Sequence, residues 1–433
     1  MRASGGAAVQ RATAVIAVLT MVLMGLAGAP AEAATGDRGF EGPSFSGAAR
    51  PASADKPESK LWYAHGRWWA VMWDTKSADW HIFRLKRSTH RWLDTGILVD
   101  RRSRSLADVL YKPGAGKLYI ASHVVTKGTA LPGNAARLMR YSYVRGAWKL
   151  DAGFPTKITS YSSESMTIDK DSANNVWATW TQVAAGRTNA EVYVARGSKG
   201  GASWGKPFLV PSADRGGNRP RPDDISTVVS FGNRIGVLWS NQTTSAFYWS
   251  VHRDGASDAT WTRGVAVKSP AIADDHLNIK SLQSDRTGRV YAVLRTNLND
   301  VSTKKSLPQV ILATFSPGAG WRTRTVWRIR DCVTRPIVVL NSSTQRVYVM
   351  ATAPETGCKY AGERGVIVQK SASLANPSFP SGRGKIIMRD ADSPDLSNVT
   401  ASKQSVTTTS GLVTLATNKT TKRYWFSDSK ATS

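Results

Sequence analysis

Short apolar runs recur along the chain, each following a polar, turn-like cluster and each rich in β-branched and aromatic residues. They occupy 69–73, 119–123, 177–180, 235–239, 291–294, 348–351 and 413–416, with clusters such as Asn341-Ser342-Ser343-Thr344 ahead of them. A run of this length after a turn signal reads as one strand of a hairpin, and seven copies predict seven units. No amphipathic window of helical period separates them.

A second series runs out of phase with the first. Trp92, Trp148, Trp204, Trp261 and Trp321 are separated by 56, 56, 57 and 60 residues, and Phe379 falls 58 further on. A fixed period of this size decides architecture. A unit with about four short strands and one aromatic on its last strand cannot bury both faces of its sheet alone, and radial stacking solves the problem. The expectation is all-β: a single seven-bladed β-propeller.

The last unit has strands near 398–406, 412–418 and 422–427, and the chain then ends without an aromatic-bearing fourth strand. Gly39-Phe40-Glu41, ahead of a Pro/Ser/Ala-rich connector, is expected to supply it; the other reading is a terminus left unpaired. Arg2 and Arg11, an apolar run over 12–27, and Pro30-Ala31-Glu32-Ala33-Ala34 form an export signal with a small-residue cleavage pattern. The expected organisation is a signal over 1–33, a closing strand and connector over 34–59, and the propeller over 60–433. No later stretch reaches the roughly 18 to 20 apolar residues of a membrane span, so the expected product is secreted, extracellular and monomeric.

Composition narrows the chemistry. The formal net charge is +27, a field that concentrates polyanions such as acidic glycans or cell-wall polymers, or that serves solubility alone. Nucleic-acid binding follows from the charge but has no supporting motif. Cys332 and Cys358 are the two cysteines, and in an exported chain they read as one disulfide. A zinc site of Cys and His is not expected on these numbers. The strong local motifs of metalloproteases, nucleotide enzymes and esterases are absent. No cofactor is implied, and a structural calcium ion in the channel stays open.

In a propeller the starts of the innermost strands and the ends of the second strands converge on one mouth of the central channel. The repeat places Asp74, His123, Asp224, Asn241, Gln242 and Asn278 there as ligand-binding candidates. The richest segment is Asp274-Asp275-His276-Leu277-Asn278-Ile279-Lys280, whose alternation puts His276, Asn278 and Lys280 on one side of a strand. With Asp275 and Arg335, His276 and Lys280 form a candidate acid/base and charge-stabilising set for a sugar acid. The competing reading is a structural ring that holds the blades in register. Arg101, Arg102 and Arg104 form a separate basic cluster.

Several blocks carry a resemblance: Lys56-Pro57-Glu58-Ser59-Lys60, Asp223-Asp224-Ile225-Ser226, Trp239-Ser240-Asn241-Gln242, Asp274 to Lys280, Thr334-Arg335-Pro336 and Arg423-Tyr424-Trp425. Together they resemble a family of secreted, largely actinobacterial propellers of unestablished activity, across most of the mature chain. The resemblance implies fold and export and assigns no catalytic roles. The turn from Gly197 to Trp204 is distantly similar to the sialidase Asp-box, with Lys199 where the box has Asp. The Asp-Asp-His-x-Asn string is similar to one in propeller polysaccharide lyases, which neutralise a uronate carboxylate and abstract the neighbouring proton. The resulting expectation is a propeller that engages an acidic or cell-surface glycan in its funnel, with polysaccharide lyase or glycosidase activity in view. The alternative is a non-catalytic, lectin-like or adhesion scaffold.

Overall fold

The computed structural model describes residues 36–53, 57–282, 287–358 and 365–431; the export signal expected over 1–33 lies outside them. Seven antiparallel sheets follow one another along the chain, which is the seven-bladed propeller the repeat predicts. In blade I the strands Leu61–Ala64, Arg67–Asp74, Asp79–Lys86 and Arg91–Asp100 pair in chain order from the inside outward. The inner strands of blades II to VII are Ser105–Lys112, Ser165–Lys170, Ser226–Phe231, Leu277–Ser281, Thr334–Asn341 and Leu396–Thr400. Their second strands, Lys117–Val124, Val176–Gln182, Arg234–Asn241, Val290–Arg295, Arg346–Ala353 and Leu412–Asn418, contain the apolar runs seen in sequence. These strands are buried on both faces, so the runs are continuous rather than alternating.

The hairpins close through residues that tolerate positive φ. In blade IV, Gly232 (φ 44°) and Asn233 (φ 57°) join the first two strands, a two-residue turn whose twist matches that of the strands.

The periodic aromatics join each blade to the preceding one. Trp148 of blade II meets Trp62 and Trp69 of blade I edge-on, with ring centroids 6.1 and 5.9 Å apart. Trp261 of blade IV meets Trp177 of blade III at 5.8 Å, and Trp321 of blade V meets Trp249 of blade IV at 5.3 Å. Trp92 of blade I closes the series against Phe426 of blade VII at 5.8 Å. Edge-to-face pairs of this kind add about 0.5–1.5 kcal/mol each beyond area burial, which accounts for one aromatic per unit at near-constant spacing.

The ring closes with an N-terminal strand. Phe40–Ser44 pairs antiparallel with Arg423–Ser429, placing Phe40 opposite Phe426 and Glu41 opposite Trp425. Phe45 then buries its ring against Tyr424. The Ser46 carbonyl accepts a hydrogen bond from Trp73 Nε1 at 2.9 Å.

From there the chain enters the channel, an arrangement absent from the sequence reading. Residues 57–60 cross its interior and bond to five blades. The Lys60 and Ser59 carbonyls accept from the Val71 and Val109 amides. The Pro57 carbonyl accepts from Asn278 Nδ2 at 3.1 Å and the Glu58 carbonyl from Thr400 Oγ1 at 3.1 Å. Glu58 Oε1 lies 2.9 Å from His123 Nε2 and also accepts from the Met166 amide. Lys403 spans the same interior from blade VII, donating to Asp108 Oδ2 of blade II and the Ile168 carbonyl of blade III.

Cys332 and Cys358 form the expected disulfide, with Cα atoms 5.5 Å apart. It ties the turn ahead of the inner strand of blade VI to the loop after its second strand. Among the described residues no helix is long and apolar enough to cross a membrane.

Candidate functional site

The candidate residues divide into three groups according to what they touch. His123, Asn278 and Lys280 lie within the channel and serve the segment that fills it. His123 bridges Glu58 and Ser163, Asn278 holds Pro57 and the Val338 amide, and Lys280 Nζ donates to Ser59 Oγ at 3.0 Å. Burial and the neighbouring Lys403 charge pull Lys280 down to about 7.

A second group shapes turns. Asp74 Oδ2 accepts from the Lys76 and Ser77 amides at 3.1 and 2.8 Å, and Asn241 Oδ1 accepts from the Thr244 amide. Asn418 does the same for Thr420 and Thr421 in blade VII. A short oxygen-bearing side chain at the end of the second strand supplies the acceptor that the following turn needs, which explains the recurrence of Asp and Asn there.

The third group is a connected polar rim across blades IV and V. Asp224 is fully buried beneath it, accepting from Ser240 Oγ at 2.7 Å and from the Gln242 and Arg221 amides at 3.0 and 2.8 Å. Burial nevertheless lifts its carboxyl to about 6. Above it the Gln242 side chain accepts from Arg221 and from Asn297 Nδ2, at 3.4 and 3.1 Å, and donates to Asp223 at 3.3 Å. In blade V the Arg295 guanidinium pairs with Asp274. Asp274 Oδ1 and Asp275 Oδ1 lie 2.7 and 2.6 Å from the same His276 nitrogen, Nδ1.

This arrangement fixes the electrostatics of His276. Burial pulls the imidazole down, but the charges of Asp275 and Asp274 outweigh it, and the ring titrates above its ordinary value. Nδ1 is committed to the carboxylates, whereas Nε2 is buried without a protein partner. Further partnerless buried atoms, Ser165 Oγ, Arg295 Nε, Thr352 Oγ1 and Ser397 Oγ, sit at strand ends bordering the same mouth. Arg335 is half-buried, with a left-handed backbone (φ 54°), and donates to Asn398 Oδ1 at 2.8 Å.

Two clusters offer carboxylate and imidazole atoms close enough to share a cation: Asp274, Asp275 and His276, and Asp74, His81 and Asp94. In the first, separations of 2.6–2.7 Å with Arg295 alongside fit a shared proton, since calcium takes six to eight oxygens. Arg295, Asn297, Arg221 and Asp274 complete the rim. Their signal in sequence was position alone, at second-strand ends and beside inner-strand starts.

The two clefts of about 400 and 360 Å³ open at the other end of the channel, around Lys112, Lys170 and Asn233 and around Tyr63, His65 and Gln404. The chemistry of the rim and these two clefts therefore lie at opposite ends.

Fold and site together define a seven-bladed propeller with a filled channel and a polar rim at the mouth that bears His276. No protein-family model and no curated protein matches the chain. Among solved structures it is similar to the α-L-arabinanase of Penicillium chrysogenum complexed with arabinobiose, at 8% identity over 79% of this chain and 99% of that one, with a TM-score of 0.48. It is also similar to the polysaccharide lyase Uly1, at 10% identity over 81% and 96% of the two chains (TM-score 0.36). A third likeness is the endo-arabinase of Bacteroides thetaiotaomicron, at 14% identity over 64% and 96% (TM-score 0.34).

Proposed function

We propose that this protein is an extracellular propeller that engages an acidic glycan at the rim between blades IV and V. One observation carries the reading: a histidine oriented by two carboxylates at Nδ1 with Nε2 left without a protein partner. An imidazole held in this way has its reactive nitrogen fixed by the groups behind it. Arg221 supplies an exposed guanidinium at the same rim, and the amides of Gln242 and Asn297 supply donors and acceptors suited to sugar hydroxyls. The net charge of +27 raises the local concentration of an anionic polymer. At Nε2 a proton can pass to a glycosidic oxygen or from a sugar carbon, which is the chemistry of a glycosidase or a lyase.

A binding-only role is the second reading, and the burial of His276, 5% exposed above a filled channel, favours it. Calorimetry and product analysis with polygalacturonate, alginate and neutral arabinan decide between them, reading unsaturated-product absorbance and reducing ends. Arg221→Ala and Gln242→Ala are expected to weaken binding of a uronate polymer at least tenfold. His276→Ala is expected to abolish turnover while binding survives if the protein is an enzyme. Unchanged binding in all three variants would refute the assignment.

A further inference from the structure

The outer strand of blade V, Gly320–Arg328, and the turn after it carry arginine at 322, 324, 328 and 330. The strand register explains where the first two go. Arg322 and Arg324 lie opposite Thr314 and Leu312, and Leu312 faces blade VI as part of the apolar cluster between blades V and VI. The two arginines therefore occupy the outer, solvent end of that same face, where blade VI has a short fourth strand, Lys385–Met388.

Two clefts open along this seam. One, of about 220 Å³, is lined by Arg289, Arg322 and Arg324 against the 374–377 loop of blade VI. The other, of about 190 Å³, is lined by Arg328, Arg330 and Lys370 against 379–381. Among the described lining residues of both clefts the one carboxylate is Asp331, and it is committed to capping the turn through the Arg328 amide at 2.8 Å. Arg328 and Lys370 donate to main-chain carbonyls. Arg322 and Arg330 are exposed, and their guanidinium groups make no hydrogen bond or ion pair with another described residue. Six cations thus line the two clefts of this seam with a single carboxylate among them, although like charges repel.

We propose that this seam is a binding track for a linear anionic polysaccharide. From Arg322 to Arg328 a strand extends about 20 Å, so one compact anion fills only one cleft, whereas a polymer with regularly spaced carboxylates or sulfates meets the whole row. Single-stranded nucleic acid is disfavoured because its recognition needs exposed aromatic platforms. Phe379, the one aromatic lining residue, is partly buried against the core between blades V and VI. The track is separate from the channel mouth, since three strands of blade V lie between it and the channel.

The test is affinity of the full exported chain for size-defined polygalacturonate and heparin fragments, and for a DNA oligonucleotide of matched length, across a salt series. The triple variant Arg322→Gln/Arg324→Gln/Arg330→Gln is expected to lose at least tenfold in affinity for one or both polysaccharides and to bind with a shallower salt dependence. A control with the same charge loss elsewhere, Arg101→Gln/Arg104→Gln/Arg50→Gln, is expected to lose less than threefold. Which polysaccharide responds identifies carboxylate or sulfate as the recognised group. Equal losses in the triple variant and its charge control would reduce the effect to net charge. That outcome, no binding by the unmodified protein, or tighter binding of the oligonucleotide would each overturn the proposal.

Discussion

Replacing Lys403 by methionine removes the cation that spans the channel while keeping the volume of its stem. In the native protein Lys403 Nζ pairs with Asp108 Oδ2, and both residues are buried, Asp108 completely. The carboxylate keeps two backbone donors, the Ser59 and Ile168 amides at 2.8 Å, but loses a nearby positive charge. The Ile168 carbonyl loses a donor as well. Removing one partner of a buried pair costs about 3–5 kcal/mol. Relief of the repulsion between Lys403 and Lys280 offsets part of this, so the lower end, about 3 kcal/mol, is expected. At about 2.1 cal/mol/K per residue over the 36–433 unit, the unfolding entropy is about 0.8 kcal/mol/K, and the melting temperature should fall by about 4 °C. Calorimetry of Lys403→Met, Asp108→Asn and the double variant forms a cycle. The double variant should cost at least about 1 kcal/mol less than the sum of the singles, as expected for groups in contact. The same substitution should move Lys280 upward from about 7, read by NMR of its side chain. Additive costs, with a melting shift under about 1 °C and an unmoved Lys280, would show that the two charges do not act as a pair.

Removing residues 36–44 leaves Arg423–Ser429 with an open edge opposite Phe426 and Trp425, so the melting temperature should fall by several degrees; an unchanged calorimetric melt would show that the ring closes without this strand. Cys332→Ser/Cys358→Ser opens a crosslink spanning 26 residues and should cost about 3 kcal/mol in urea unfolding. Lys280 titrates lower in the folded chain, about 7, than its ordinary 10.5, so between these values the unfolded state binds more protons and stability rises with pH. Lys280→Met should therefore flatten the dependence of melting temperature on pH between 7.5 and 9.5, and an identical slope in both proteins would contradict the burial of a titrating lysine. His276, raised by Asp275 and Asp274, works in the opposite sense. Its stabilisation is present below about 6.5 and is lost as pH rises through the folded value, so His276→Gln should melt less steeply with pH above 6.5.

Architecture was legible in the sequence because it rests on a repeated local event. Each blade needs an apolar second strand and an aromatic to dock on the preceding blade, and residues 69–73 and Trp148 show both without any knowledge of contacts. The missing fourth strand of the last blade was legible for the same reason, as a gap in a period that Phe40 fills. The disulfide followed from there being two cysteines in a chain read as exported. The roles of polar residues were decided by tertiary structure, because a carboxylate or lysine looks the same in sequence whether it faces solvent or a buried partner. Asp74 and Asn241 stand at the positions the repeat gave them, yet their oxygens are held by turn amides. His123, Asn278 and Lys280 hold a segment, 57–60, whose passage through the channel has no periodic signature. His276 shares its Nδ1 contacts with Asp274, two residues away, and gains its surroundings from Arg295, 19 positions on in the chain. Such groupings depend on which strand ends converge at one mouth, and that convergence exists only once all seven blades have closed.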